Sequence, residues 1–384
     1  TIAVAQDDAA ALSITGTVDV YATTNSEDGA GAPGLLVENP EKANGFGLGM
    51  ANTVFSYDGT KSGVVADLAF GPRANDANMA GAINQLYAYY NLSESATVTA
   101  GQFNTFLGYE VISPAANFNY SVSYLFNEGP FSHTGVKLDY AASEDLSLML
   151  AVTNGHAISS ADTNASGETQ FGAQIGYKGQ YLNFVYGGVE AGEVDDNLYI
   201  DYTGGFNLTD SFYVGINAAY SYSDDSDSGY QGFALYLQNS FSESFALGLR
   251  PEAFTKTYGA EGVEDESVTA FTLTGNYKLD RNLNFIVEAR MDDSDDGIIE
   301  GTTEDEDGTH MGVTYNVNDD VSIGYVRQET DFSGTSSDEE HSGFQASYSM
   351  GSISFSGRVG KVDNMGGTAG SSDEDKHITM SVAF

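Results

Sequence analysis

The apolar residues of this chain fall at every second position almost from one end to the other. A period of two sends successive side chains to opposite faces of an extended strand. Leu146, Leu148, Leu150 and Val152 alternate with Ser147, Met149, Ala151 and Thr153. Phe271, Leu273, Gly275 and Tyr277 alternate with Thr272, Thr274 and Asn276. Phe344, Ala346, Tyr348 and Met350 alternate with Gln345, Ser347 and Ser349. Near the C-terminal end, Ile378, Met380, Val382 and Phe384 alternate with His377, Thr379, Ser381 and Ala383. No long window carries the helical period of 3.6, so no helical layer is at hand to cover an apolar sheet face.

The connections alternate as well. Short ones, such as Asp58-Gly59-Thr60, Lys178-Gly179, Asp280-Arg281-Asn282 and Met350-Gly351-Ser352, take turns with long ones such as 23–44, 104–131, 154–168 and 292–307. Tight turns on one side and long loops on the other describe a meander of hairpins. At ~10 residues per membrane-crossing strand, the chain predicts about 20 strands, in a range of roughly 18–22. The competing architecture is a soluble two-sheet sandwich, whose strands run to about 5–6 residues. Here the strands are longer. One face is small and polar, and the other is aliphatic and aromatic. Hydrocarbon offers no water to satisfy an open sheet edge, so an apolar outside with a polar inside demands closure. The fold class predicted is therefore all-β: a transmembrane up-and-down antiparallel β-barrel with short periplasmic turns and long acidic extracellular loops.

Further features point the same way. Tyr57, Phe70, Tyr90, Tyr140, Tyr177, Phe206, Tyr220, Tyr277 and Tyr315 flank turns and strand ends, where amphipathic rings form girdles at the lipid boundary. Phe384 closes an alternating strand and resembles the terminal recognition signal of bacterial outer-membrane barrels. Ala3-Val4-Ala5 has the small-x-small pattern that precedes a secretory cleavage site. Residues 1–10 are read as the remnant leading to the first strand, and 11–384 as a single barrel.

The 384-residue chain carries 14 Lys+Arg against 55 Asp+Glu, a net charge of −41, and no cysteine. That balance excludes nucleic acid as a partner, which needs a Lys/Arg excess. It also excludes disulfides and thiolate metal sites. Most of the acid falls in the long loops, as in Asp224, Asp225 and Asp227 or Asp338, Glu339 and Glu340. An acidic mouth raises the local cation concentration, so weak cation selectivity is expected. Asp292, Asp293, Asp295 and Asp296 invite a calcium reading, but Thr303 stands where an EF-hand needs its twelfth-position glutamate. No cofactor or specific metal site is predicted; loose divalent screening, bridging to lipopolysaccharide, is the reading for that run.

Phase assigns the strand charges to a face. Phe245, Leu247 and Leu249 point out, so Arg250 and Glu252 point in. Leu283, Phe285 and Val287 put Glu288 and Arg290 inside, and Ile353 and Phe355 do the same for Arg358. Asp19, Asp67 and Asp139 are phased inward, with Lys137 nearby. Two arrangements fit this phase: basic and acidic walls facing each other across a lumen with a transverse field, or charges that pair locally. Arg327 shares parity with Ile323 and Tyr325 and is phased outward, above the bilayer or shifted by a bulge.

Residues 101–135 are the least strand-like stretch. They include Gly101-Gln102-Phe103-Asn104-Thr105-Phe106-Leu107-Gly108-Tyr109-Glu110, Phe118-Asn119-Tyr120-Ser121 and Gly129-Pro130-Phe131-Ser132-His133. This segment resembles the outer-membrane β-barrel porins of the OmpL-like type. The resemblance implies a porin-like channel for small hydrophilic solutes and ions. A loop from 104 to 131 this rich in aromatics must pack on something. It either enters the lumen and narrows it, bringing Tyr109 and Glu110 to the constriction, or forms a lid on other loops. The five histidines, His133, His156, His310, His341 and His377, lie outside any G-x-S-x-G or H-E-x-x-H context, so the chain is not expected to be an enzyme. The competing function is a structural or adhesive outer-membrane barrel, or a subunit of a larger complex, with a plugged lumen. The expected partners are the lipid bilayer, lipopolysaccharide and small solutes, with a homo-oligomer open.

Overall fold

The computed structural model describes residues 11–23, 34, 45–76, 82–154, 169–187, 197–224, 226–260, 263–278, 282–294, 306–318, 321–332, 339–350, 353–363 and 372–382; side chains from 306 onward lie outside the described residues. Residues 1–10 and Phe384 also lie outside them.

Fifteen strands form one antiparallel sheet in strict chain order. They open with β1 (Ala11–Thr23), β2 (Gly45–Asp58), β3 (Ser62–Phe70), β4 (Ile83–Ser93) and β5 (Ala96–Asn104). After a long connection come β6 (Ser132–Ala141), β7 (Leu146–Asn154), β8 (Thr169–Tyr177), β9 (Gln180–Gly187) and β10 (Asn197–Asn207). The sheet ends with β11 (Phe212–Ser223), β12 (Ser228–Ser240), β13 (Phe245–Thr257), β14 (Glu266–Lys278) and β15 (Asn284–Ser294). A second antiparallel sheet holds β16 (Glu306–Asn318), β17 (Val321–Phe332), β18 (Glu339–Met350), β19 (Ile353–Asp363) and β20 (Ser372–Val382), again in chain order. Among the described residues, helix is confined to two short pieces, α1 (Pro72–Asp76) and α2 (Tyr124–Glu128), and a 3₁₀ turn at Pro114–Ala116.

The two faces of the large sheet differ as strongly as the sequence alternates. On β7, Leu150 is 64% exposed while its neighbour Ala151 is 4% exposed. On β14, Leu273 is 52% exposed while Thr272 and Thr274 are fully buried. Water penalises exposed leucine rows and tolerates exposed threonine, so this distribution is inverted for a soluble sheet and right for one in lipid. Leu150→Arg should therefore cost about 2–4 kcal/mol, the price of a cation on a mid-bilayer lipid face. Urea unfolding in lipid vesicles would measure it, and an unchanged midpoint would place Leu150 off the lipid face.

The sheet is strongly curled. Fourteen strand spacings of ~4.8 Å would hold β1 and β15 about 67 Å apart if it were flat. Yet the backbone N–H of Tyr120 donates to Glu288 on β15 (3.0 Å) while its hydroxyl donates to Asp19 on β1 (2.6 Å). Glycines on the inner face make room for this curvature and are covered by cross-strand tyrosines. The Tyr21 ring lies over Gly47, Tyr89 over Gly63, Tyr181 over Gly176 and Tyr213 over Gly205. The first of the two hydrophobic clusters contains Ile112, Val122, Phe126 and Phe131. The second joins Leu107 and Leu125 to Val185, Ala219, Tyr236 and Phe254 of the sheet. Both depend on the connection between β5 and β6.

Candidate functional site

That connection, 105–131, lies against the polar face of the sheet. Inner-face glycines and small residues form the seats for its aromatic rings. Phe106 fills the space over Gly172, Tyr109 that over Gly215, and Phe118 that over Gly248. Tyr109 stacks on Tyr236 with centroids 4.1 Å apart, and its hydroxyl donates to Tyr213 (3.1 Å). Phe106 stacks on His133 at 4.7 Å, and the His133 Nε2 shares a 2.9 Å hydrogen bond with Thr105. His133 thus has a structural role. Any side chain on Gly248 would collide with the Phe118 ring. Gly248→Val should cost about 1–3 kcal/mol through overpacking, read as a lower unfolding midpoint. Gly275→Ala, whose added methyl meets only ordinary contacts, is the control and should change stability by about 0.5 kcal/mol or less.

The charged residues of β13–β15 face this segment. Arg250, 1% exposed, sits on the same face as Glu252, opposite the exposed Leu247 and Leu249. Its Nη1 donates to Glu110 (2.6 Å) and to the Ser121 carbonyl (2.6 Å). Its Nη2 donates to the Val122 carbonyl (3.2 Å), the Ser121 hydroxyl (3.3 Å) and Thr272 (3.2 Å). Glu110 is further held by the amide (2.8 Å) and hydroxyl (2.6 Å) of Ser123. Glu288 accepts from the amides of Tyr120 (3.0 Å) and Ser121 (3.1 Å), the Ser121 hydroxyl and Thr274 (2.9 Å). Glu252 accepts from the amide of Leu125 (3.0 Å). Arg290 donates to the Val122 carbonyl (2.8 Å), and its Nε bridges both Asp292 oxygens (2.9 Å each). Its guanidinium lies over the Tyr124 ring at 5.0 Å, and the Tyr124 hydroxyl donates to Asp292 (2.9 Å).

On the other side of the segment, buried Arg73 of α1 donates to the carbonyls of Tyr120 (3.3 Å) and Ile112 (3.5 Å) and lies over the Tyr120 ring. Burial, reinforced by the Asp19 carboxylate, holds the Tyr120 hydroxyl well above the ordinary phenol range. Burial, with Asp292 beside it, does the same for Tyr124, and burial with Tyr213 does so for Tyr109. All three rings stay neutral donors at any physiological pH.

The other sequence-predicted residues are dispersed. Asp67 accepts from Asn52 (3.1 Å), Asn84 (2.6 Å) and Gln85 (3.4 Å), and no cation faces it among its described partners. Lys137 pairs with Asp139 on its own strand at 2.8 Å. Arg358 stands in β19 opposite His377, and its side chain lies outside the described residues, as does that of Arg327. Asp292 and Asp293 belong to β15 rather than to a loop. Asp292 is committed to Arg290, Asp293 is on the opposite, exposed face, and Asp295 and Asp296 lie outside the described residues. No metal-holding group of His, Asp and Glu occurs among the described residues. Sequence reasoning missed Asp201, whose carboxylate is fully buried and accepts from Asn183 (2.7 Å), Asn217 (2.6 Å) and the Gly108 amide (2.9 Å). It also missed Arg73. Asp201 shares parity with Tyr199 and Thr203, and that parity is a usable signal; Arg73 lies in the short helix α1, outside any period-two pattern.

A curled antiparallel meander, apolar outside and charged within, defines a porin-type sheet. The family described as "Putative beta-barrel porin-2, OmpL-like" matches residues 11–323, and the chain belongs to it. It is a porin of the bacterial outer membrane, a channel for small solutes. No curated protein matches the sequence. Among solved structures, Pseudomonas aeruginosa OccK3 (OpdO) is similar at 12% identity and a TM-score of 0.36, covering 88% of this chain and 90% of its own. The Acinetobacter baumannii outer membrane channel DcaP is similar at 13% identity and a TM-score of 0.34, covering 98% and 97%. A BenF-like porin from Pseudomonas fluorescens Pf-5 is similar at 10% identity and a TM-score of 0.38, covering 98% and 99%. With superpositions this loose, the assignment rests on the family match and the chemistry of the sheet.

Proposed function

We propose that β1–β20 close into one transmembrane barrel of about twenty strands. In this reading the barrel lets small hydrophilic solutes and ions diffuse across the outer membrane, with 105–131 inside the lumen as its constriction. The observation that carries this is the hydrogen bonding of Tyr120 to both β1 and β15, on a face whose reverse is rows of exposed leucine, valine and phenylalanine. Hydrocarbon tolerates no open edge on such a sheet, which supports closure. The short turns face the periplasm and the acidic loops face outward, toward lipopolysaccharide. The buried arginines are engaged by Glu110, Asp292 and loop carbonyls, so they leave the acidic mouth to set selectivity. Weak cation selectivity is expected: in a planar bilayer under a KCl gradient, the reversal potential should lie on the potassium side. A potential on the chloride side would refute it.

The density of bonds between 105–131 and the sheet favours a second reading, a structural or adhesive barrel whose lumen that segment plugs. Purified protein that inserts into planar bilayers without conducting would establish that reading in place of the channel.

A further inference from the structure

The contacts of residues 118–125 have an unusual chemistry: the sheet addresses their main chain. Carboxylates take the amides, Glu288 those of Tyr120 and Ser121 and Glu252 that of Leu125. Guanidinium groups take the carbonyls, Arg250 those of Ser121 and Val122 and Arg290 that of Val122. Even the Phe118 carbonyl is met by the side-chain amide of Asn276. The rings over the inner glycines hold the side chains of the connection, and its buried main chain needs partners as well. Two carboxylates and two guanidiniums supply them with charge-assisted bonds, to successive amides at 120 and 121, successive carbonyls at 121 and 122, and the amide of Leu125 in the first turn of α2. Such a surface reads any short peptide, because every peptide carries the same amide and carbonyl groups.

We propose that Arg250, Glu252, Glu288 and Arg290 form a peptide-binding site, that residues 118–125 are its intrachain occupant, and that the solutes this channel selects are short peptides. The inference rests on the channel reading above. Two charged members of the site also have buried polar atoms with no protein partner, Nε of Arg250 and Oε2 of Glu252, so the resident segment does not exhaust the site. A tethered segment acts at an effective concentration on the order of millimolar, so free peptide competes only in that range or above. Main-chain recognition further requires that peptide sequence matter little.

The test uses the full-length protein in planar bilayers. Blocked tetrapeptides, N-acetylated and C-amidated Asn-Tyr-Ser-Val and tetra-alanine, are compared with a neutral trisaccharide of similar size. Both peptides should interrupt the current at millimolar concentration and the sugar should not. Equal effects of sugar and peptides would overturn the proposal while leaving a porin. An effect of Asn-Tyr-Ser-Val alone would also overturn it, since the wall would then be reading side chains. An absence of any conductance would remove the channel reading, and this one with it. Two variants sharpen the result. Phe118→Ala removes the ring seated over Gly248 and leaves the four wall side chains in place, so it weakens the resident segment and should lower the half-interrupting peptide concentration by about tenfold. Glu288→Gln removes one acceptor oxygen of the wall and should weaken the effect of both peptides alike.

Discussion

Arg250→Met should be among the most damaging single substitutions in the protein, costing about 3–5 kcal/mol. The guanidinium makes five hydrogen bonds at 1% exposure, to Glu110, two carbonyls and two hydroxyls. Methionine fills a similar volume but leaves the Glu110 carboxylate without its cation. Removing one partner of a buried pair costs more than the pair itself contributes, because the survivor keeps its desolvation penalty. The comparison that isolates this cause is the double variant Arg250→Met, Glu110→Met, which should recover part of the loss. Urea midpoints in lipid vesicles measure both. A wild-type midpoint for Arg250→Met would show that the pair does not hold the segment, and a double variant worse than the single would show that the stranded carboxylate is not the cause.

The same residues show where sequence reading stops. Alternation over 245–252 is enough to separate Leu247 and Leu249 from Arg250 and Glu252, because a strand has only two faces and lipid sorts them. An all-β antiparallel meander is legible for that reason. The partners were out of reach, since Glu110, Ser121 and Val122 lie some 130–140 positions away in the chain, in a connection without periodicity. The sequence left two arrangements open for the charges, facing walls or local pairs. The structure brings four of them, Arg250, Glu252, Glu288 and Arg290, to a third partner, the main chain of 118–125; the Lys137–Asp139 pair is the local kind. Asp292 illustrates a different limit. As the first residue of an acidic run it has the composition of a loop, yet two more residues of alternation carry β15 to Ser294 and turn Asp292 toward Arg290. The inner glycines carried a signal as well. Gly172, Gly215 and Gly248 share parity with buried residues, and an inward position without a side chain marks where another part of the chain comes close.

Deleting 108–128 should raise single-channel conductance several-fold. The 27-residue connection between Asn104 and Ser132 spans the curled sheet from β1 to β15 through Tyr120. Water and ions passing along the polar face must go around it. Removing it widens that path, but it also uncovers Arg250, Glu252, Glu288 and Arg290, which lose their main-chain partners. Two opposing effects therefore decide the outcome. Loss of the segment removes Ile112, Val122 and Phe126 from the first cluster and Leu125 from the second, which lowers stability. The sheet keeps its backbone ladder from β1 to β15, which does not depend on the segment, and the freed charges become hydrated rather than stranded. The deleted protein should therefore still insert, unfold at lower urea, and conduct more. Its selectivity should also shift, because the two released arginines then face the permeating ions. An unchanged conductance with normal insertion would mean that 105–131 packs outside the conducting path, as a lid on the loops.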